Sequence, residues 1–404
     1  LLLKTSLGQL YHHNINMSTL KVDNIRHNSA TSDAITTHSD GTCTARLTGT
    51  TGGGHLSHRN IIINGACMVA QRGSSTSSVT GSGYFACDRQ KTLASYGGTW
   101  TISQSTESPS DNGFGYSMKY DCTATRTSLA EYSYLQHYYR VEGQDLQNIC
   151  KGTSNAKELT LSFWVKTNKT GTYNLELIDQ DNSRIVSKSY TVSDTNWNKY
   201  VVTFPADTTG SFANDNEVSL DIGWWLVAGS AFVSGSNQTT WAAFSQGVRA
   251  PSNVNLADST SNEWYITGIQ LEIGSIATSF EHRSYVEEVQ RCRRYYQKFA
   301  AVGDHYHFGV ARAESNTART GLVIPVPMRT YPTVACNGSR TFRGDGGYNS
   351  ESTSTPSVYS TGNWVSESNM YTVDFPGHSL NHNQMYCLMS KTTSENALTL
   401  DSEL

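Results

Sequence analysis

Charge is scarce in this sequence: only 16% of its 404 residues are Asp, Glu, Lys or Arg, and the formal net charge is −4. So small a negative balance gives the whole chain no basic field to attract nucleic acid or an anionic membrane surface. No apolar run reaches the roughly 18 residues that read as a membrane-crossing helix. None of the eight cysteines (Cys43, Cys67, Cys87, Cys122, Cys150, Cys292, Cys336, Cys387) belongs to a C-x-x-C pair. That argues against a structural zinc site or a thioredoxin-type motif. An even count permits disulfides, but a chain long enough for two or three domains of roughly 150 residues does not depend on them. Free, half-buried thiols are expected, in keeping with assembly in a cytoplasm. There is no G-x-S-x-G elbow, Walker loop or H-E-x-x-H, and no long-period repeat. The opening LLLKTSLGQLYHHNIN lacks the apolar core and small-residue cleavage site of a signal peptide. Met17-Ser18 reads as a natural start, with residues 1–16 an upstream reading-frame extension.

What is present in quantity is tyrosine (22 copies), glycine (33 copies), serine, threonine and asparagine. Aromatic and β-branched side chains fit pleated surfaces, and Gly, Asn and Ser fill tight connections. The composition therefore predicts an all-β protein. Residues 1–58 read as an extended attachment or oligomerisation segment. Its β-like pieces (STLKVDNI, DAITT, TCTARLTG) are too short to bury a core, and GTTGGGHLSH is a hinge. Such a segment is either a disordered tail or a set of strands that fold against copies of themselves; the recurring threonines and β-branched residues favour the second.

Residues 59–281 read as a jelly-roll β-sandwich. In ELTLSFWVK, Leu159, Leu161, Phe163 and Val165 alternate with Thr160, Ser162, Trp164 and Lys166, the period of a half-buried strand. TYNLELID, RIVSKSYTV, NKYVVTFP, EVSLDIGWWLVAG and EWYITGIQLEIG follow, each bounded by turn residues, as antiparallel sandwiches require. The piece SLAEYSYLQHYYRVEGQDLQNI reads as a strand through Tyr139-Val141 followed by a short turn or helix. The entry segment RNIIINGACMVAQRG (59–73) reads as an apolar strand, an Asn-Gly turn or bulge, and a second strand piece ending at Gly73. In EHRSYVEEVQRCRRYYQKF, Tyr285, Val289, Cys292 and Tyr296 form a stripe at helical spacing, and Glu287–Arg291 is a favourable i, i+4 pair. This predicts a connecting helix over 282–299. Residues 300–404 return to strands, with Gly/Ser-rich segments between them, and form a smaller C-terminal β-domain.

Sites with chemistry are few. His305 and His307 would face the same way on a strand, but no third ligand accompanies them, so no metal is expected. No cofactor is expected either. Asp221 and Glu272 fall in strands, and a glycosidase pair cannot be recognised from spacing along the chain, because its separation is spatial. In SLDIGWWLV, Leu220, Ile222, Trp224 and Leu226 share one face, and Asp221, Gly223, Trp225 and Val227 the other. Trp225, beside Gly223 and Asp221, is the candidate for stacking on a sugar ring, since a flat aromatic next to hydrogen-bonding groups suits sugar faces. Trp164, which alternates out of the core set, is a second candidate.

Taken together, RNIIINGACMVAQRG, SGYFACDRQ, LTLSFWVKTNKTGTYNLELI, NWNKYVVTF, IGWWLVAGS, TTWAAF and WYITGIQLEIGSIATSFEHRSYVEEVQRCRRYYQK resemble the sandwich region of bacteriophage virion proteins. These are described as tail fibres or virion structural proteins of phages of marine bacteria and cyanobacteria. The LSFWVK and WYITGIQLEIG strands also look like carbohydrate-binding jelly rolls found beside glycosidases. The resemblance spans roughly residues 59–300. FACDRQ departs from the usual D-R-W, which puts the packing of that corner in doubt. The resemblance implies a virion part rather than an enzyme, assembled in the host cytoplasm: a tail fibre or appendage, trimeric by analogy with fibres, partnered by other virion proteins and by host surface polysaccharide. A capsid decoration (cement) protein and a secreted carbohydrate-binding module are the alternatives.

Overall fold

The computed structural model describes residues 23–26, 35–39, 41, 43–45 and 58–300, and beyond them 307–314, 317–336, 340–344, 347–352, 356–358, 370–376, 380, 385–390 and 397–404. Near the start, β1 (Asn24–Ile25) and β3 (Cys43–Ala45) each pair antiparallel with β2 (Ile35–Thr37) between them. The next strands are β4 (Ser75–Val79), β5 (Gly83–Tyr84), β6 (Lys91–Ser95), β7 (Thr99–Ser105), β8 (Ser117–Ala124), β9 (Tyr134–Glu142), β10 (Leu159–Thr167), β11 (Gly171–Asp179), β12 (Arg184–Val192), β13 (Asn198–Phe204), β14 (Val218–Ala228), β15 (Ala242–Ala243) and β16 (Glu263–Ile273). They form two antiparallel sheets, in the orders β13-β10-β16-β8-β7-β4 and β15-β12-β11-β14-β9-β6-β5. This is the all-β jelly-roll sandwich that the alternation predicts.

The core lies where the inner faces meet. Leu159, Leu161, Phe163 and Val165 of β10 join Trp264, Ile266 and Leu271 of β16, and Tyr139 and Trp224 from the opposite sheet. Fully burying each large apolar side chain stabilises the sandwich by roughly 1.5–3 kcal/mol before the entropy cost of ordering it. One irregularity interrupts the β10–β16 ladder. Opposite Phe163, strand β16 carries two residues, Gly268 and Ile269, because the register shifts between Ser162 and Trp164. Gly268 sits at φ 61°, in the left-handed region that glycine adopts without strain.

The entry segment 59–73 differs from expectation: it forms no strand. Its turn is anchored by side chains instead of a ladder. Asn60 donates to the Ile269 carbonyl and accepts from the Ile62 and Leu271 amides. Asn64, at φ 57°, accepts from the Val69 amide and donates to the Val69 and Asp88 carbonyls. A Cβ on Gly65 would stand 2.1 Å from the Ile269 carbonyl oxygen, so glycine is needed there for close approach. Ile62 thus enters the sandwich core, with Ile61 packed against it, and the triplet's amides are satisfied by the Leu271 carbonyl, Asn60 and the Tyr139 hydroxyl in place of a continuous ladder. The corner that FACDRQ put in doubt is closed by Gln90, whose buried amide donates to the Asn64 carbonyl at 3.2 Å.

The connecting helix is shorter than its pattern. It is α1 (Tyr285–Arg293), begun by Ser284, whose hydroxyl accepts from the Glu287 amide. Residues 296–299 are strand instead: β17 (Tyr296–Ala300) pairs with a strand from the end of the chain. The stripe continues past the helix because Tyr296 is buried in both cases, but here by a ladder. Beyond it come β18 (His307–Glu314), β19 (Thr317–Val323), β20 (Thr333–Cys336), β21 (Arg340–Gly344), β22 (Gly347–Ser352), β23 (Ser357–Val358), β24 (Met370–Pro376), β25 (Met385–Ser390) and β26 (Ala397–Asp401). These make sheets of order β17-β26-β20 and β22-β21-β25-β18-β19-β24-β23 around a second core that includes Phe342, Phe375 and Tyr386.

This second β-region is bolted to the sandwich. Arg329 donates to the Ser402 and Asn216 carbonyls, Tyr84 and Lys91 donate to the Leu404 carbonyl, and Glu403 pairs with Arg72 and Arg89.

Candidate functional site

Three surfaces of the sandwich carry the residues that bear on function. The first is the outer face of the seven-stranded sheet. Alternation in β14 sends Leu220, Ile222 and Trp224 into the core and Asp221, Gly223 and Trp225 outward; past an irregularity between Trp225 and Val227, Val227 rejoins the core. Trp225 is nevertheless 0% exposed. It belongs to a small separate cluster with Ala228, Phe232 and Ala250, because the segment following β14 folds back over it. The Phe232 ring centre lies 4.8 Å away, and the Arg249 guanidinium lies 4.8 Å over the indole. Arg249 is held there by two hydrogen bonds to buried Glu176, one from Nε at 2.9 Å and one from Nη2 at 2.5 Å. Gly223 leaves room for this polar layer, since a Cβ would come 2.8 Å from Gln136 Nε2. In this arrangement no sugar ring reaches Trp225. Asp221 is also buried: Tyr138 and Gln180 donate to its Oδ2, and Arg140 pairs with Oδ1 at 3.2 Å. Burial raises its pKa and the Arg140 charge opposes the rise. Its role here is to hold the sheet's polar face together.

The second surface is the outer face of the six-stranded sheet, where Trp164 lies. The indole is half-buried above Gly268, whose missing Cβ would stand 2.8 Å from Trp164 Cδ1. Register aligns a row beside it: Lys166 of β10 is opposite Tyr265 of β16, and Tyr265 is opposite Lys119 of β8. Trp197 completes the row, its ring centre 6.1 Å from that of Tyr265. Glu107 accepts from Lys166 Nζ at 2.9 Å and from Trp197 Nε1 at 3.1 Å. Those two hydrogen bonds hold the Glu107 carboxyl below its ordinary pKa. Glu263 accepts from Lys119 at 2.6 Å and from the Tyr265 hydroxyl at 2.7 Å. Burial alone would raise Glu263, but these donors keep it below the usual range, while burial and the bond to Glu263 push the Tyr265 phenol up to about 12. The face therefore presents two half-buried indoles, Trp164 and Trp197, beside two lysine–glutamate pairs, with the Tyr265 ring packed in between them and only 8% exposed. Asp221 and Trp225 lie on one outer face of the sandwich and Trp164 on the other, so the three predicted residues do not form one site. Glu272, also in β16, is buried and accepts from the Thr278 amide and hydroxyl. Of the histidine pair, His305 lies outside the described residues.

The third surface is an open groove of about 480 Å³ at one end of the sandwich, lined by Thr80, Gly81, Ser95, Tyr96, Thr99 and Arg126 among others. Tyr96 stands on the β6–β7 turn, 72% exposed, at φ 50°. A bulky residue in the left-handed region costs on the order of 1–3 kcal/mol and is a signature of function when the surroundings enforce it. Neither Tyr96 nor Arg126 stands out from the sequence. The available signal is the turn Ser95-Tyr96-Gly97-Gly98, where a tyrosine occupies a position that turn chemistry assigns to glycine or asparagine.

No family model matches the chain, and no curated protein does. Among solved structures, the enzymatically active domain of bacteriophage CBA120 tailspike protein 4 is 13% identical, with a TM-score of 0.28 over 53% of this chain and 21% of that one, so this chain spans about a fifth of it. The family 11 carbohydrate-binding module from Clostridium thermocellum, in complex with a β-1,3-1,4-mixed-linked tetrasaccharide, is 13% identical at a TM-score of 0.26, over 51% of this chain and 98% of that one. The CBM22-1 xylan-binding domain of Paenibacillus barcinonensis Xyn10C is 13% identical at 0.25, over 50% and 94%.

Proposed function

We propose that this chain is a non-enzymatic appendage protein of a phage virion whose sandwich binds glycans of the host surface. The observation that carries the binding role is the row Trp197, Lys166, Tyr265 and Lys119 beside Trp164. The Trp164 and Trp197 indoles stand half-buried on the outer face of a sheet whose core lies on the other side, Tyr265 is packed in between them, and charged hydrogen-bonding groups flank them. Pyranose rings present apolar faces edged by hydroxyls, and aromatic surfaces flanked by fixed polar groups recognise both features. The virion setting is supported by the likeness of residues 59–300 to phage structural proteins, and trimerisation through residues 1–58 belongs to the same reading. Binding rather than catalysis is supported by the two strand carboxylates Asp221 and Glu272, both held in buried hydrogen bonds.

The test is a glycan array probed with the full chain, followed by titration of the best ligand into Trp164→Ala and Trp197→Ala. A tenfold or greater loss of affinity in both, with unchanged thermal unfolding, is the expected result. Unchanged affinity in both variants removes the outer face as the site. Immunogold labelling of particles at the tail in small multiples is expected; labelling across the capsid in hundreds of copies would make it a cement protein instead.

A further inference from the structure

The groove at the β6–β7 end of the sandwich is built from three separate segments: Thr80–Gly81 between β4 and β5, Ala94–Thr99 around the β6–β7 turn, and Thr125–Arg126 after β8. Its backbone is held in place. A Cβ on Gly97 would stand 2.5 Å from the Tyr134 carbonyl oxygen, and one on Gly98 2.9 Å from the Ala124 carbonyl oxygen. The Arg126 amide donates to the Ala257 carbonyl at 2.7 Å, and Asn255 Nδ2 donates to the Arg126 carbonyl at 2.9 Å. The Ser82 hydroxyl accepts from the Ala94 amide at 3.0 Å. The functional groups within this frame are uncommitted: among the described residues, neither the Tyr96 hydroxyl nor the Arg126 guanidinium has a hydrogen-bond or ionic partner. The groove thus offers one exposed phenol ring, one free planar cation and the hydroxyls of Thr80, Ser95, Thr99 and Thr125.

We propose that this groove is a second saccharide site, selective for sugars that carry a carboxylate. Tyr96 stacks on the ring of a uronic acid residue, Arg126 pairs with its carboxylate through two parallel N–H···O bonds, and the surrounding hydroxyls contact the ring oxygens. The guanidinium fork matches a planar carboxylate bidentately. A single cation among neutral hydroxyls suits one monoanionic group on a sugar better than a dianionic phosphate. A preset backbone lowers the ordering cost of binding, and holding Tyr96 in its strained conformation ahead of the ligand is part of that presetting. The site shares no residue with the outer-face row, so each can fail alone.

The experiment is calorimetric titration of the full chain with hexasaccharides of mannuronic, galacturonic and glucuronic acid, each beside its carboxyl-reduced neutral counterpart. At least one acidic hexasaccharide is expected to bind at least tenfold more tightly than its neutral form. Arg126→Gln and Tyr96→Ala should each lose that affinity tenfold or more, Arg126→Lys should lose an intermediate amount, and Trp164→Ala should lose none. Both positions are on the surface, and thermal unfolding checks that the variants fold. Equal binding of neutral and acidic forms, failure of all three acids to bind, or full affinity in Arg126→Gln overturns the proposal. Loss in Trp164→Ala with Arg126→Gln unaffected also overturns it and returns the binding to the outer face.

Discussion

The guanidinium of Arg89 lies 3.5 Å from the centre of the Tyr295 ring, so a charge from the sandwich is stacked on an aromatic at the end of the connecting helix. Its Nη1 also donates to Glu403, and Arg89 is only 1% exposed. This joint ties three distant stretches of chain together. Removing one partner of a buried ion pair strands the other, at a cost of about 3–5 kcal/mol. Glu403→Ala is therefore expected to lower stability by that amount in urea denaturation. A loss under about 1 kcal/mol, the range of exposed pairs, would show that the Arg140 carbonyl and the tyrosine rings hold Arg89 without it.

Trp225→Ala is expected to destabilise the sandwich by about 3–5 kcal/mol, as truncation of a fully buried tryptophan does, because the indole fills the space under Phe232 and Arg249. Chemical denaturation measures it. A variant of full stability that has lost glycan affinity would restore the role that its outward position in β14 suggests.

Acid should expose the state of His137. Burial lowers its pKa to about 3, and its Nδ1 meets the Tyr120 hydroxyl at 3.1 Å. The unfolded chain takes up a proton near pH 6.5 and the folded one does not. Stability conferred by neutral His137 is therefore complete above 6.5 and falls by about 1.4 kcal/mol per pH unit below it. Asp88 works the other way. Burial pushes it up to about 6 despite hydrogen bonds from Gln71 and the Arg72 charge, so the folded state binds that proton first, and between pH 6 and 4 acidification favours folding. His137→Gln should thus lose less stability than the wild type from pH 6 to 4, and Asp88→Asn should lose more. Parallel slopes of melting temperature against pH in all three proteins would contradict both assignments.

Gly268→Ala is expected to cost about 1–2 kcal/mol for the left-handed backbone alone, and its Cβ would meet Phe114 at 2.7 Å and Trp164 at 2.8 Å. Trp164 must then move, so the variant should weaken glycan binding as well as stability. Intact affinity would mean that the indole's seat on the glycine is unimportant.

Tyr96→Asn should do the reverse. Asparagine tolerates φ 50° better than tyrosine does, and relief of that strain is expected to raise stability by about 0.5–1 kcal/mol while abolishing carboxylate-sugar binding in the groove. A fall in melting temperature would show that Tyr96 is held by packing rather than against it.

Much of this architecture is legible along the chain. Residues such as Leu161, Phe163 and Ile222 alternate with polar neighbours, and each lies in the sandwich core. The strand then 3₁₀ turn at Tyr134–Glu142 and Gly143–Ile149 follows the reading of that ambiguous piece. The entry segment was less legible. Its apolar triplet has strand composition, yet its three amides donate to the Leu271 carbonyl, the Asn60 side chain and the Tyr139 hydroxyl, the last 76 positions away along the chain. The same holds for Tyr296, whose helical spacing is overridden by pairing with Asp401.

Period-two alternation is a local property, because successive side chains on a strand point to opposite faces. The sequence alone therefore determined most of the strand residues that line the core, and with that an all-β sandwich; Val227, which alternation puts outside, enters the core past the irregularity after Trp225. Alternation placed Trp164 and Trp225 equally outside. Which of the two remains accessible was decided only by tertiary structure: Phe232, and Arg249 held by Glu176 from a different strand, cover Trp225, whereas Trp164 rests on a glycine bulge and stays half-buried. Coverage depends on contacts between segments far apart in the chain, and a one-dimensional pattern carries no information about those.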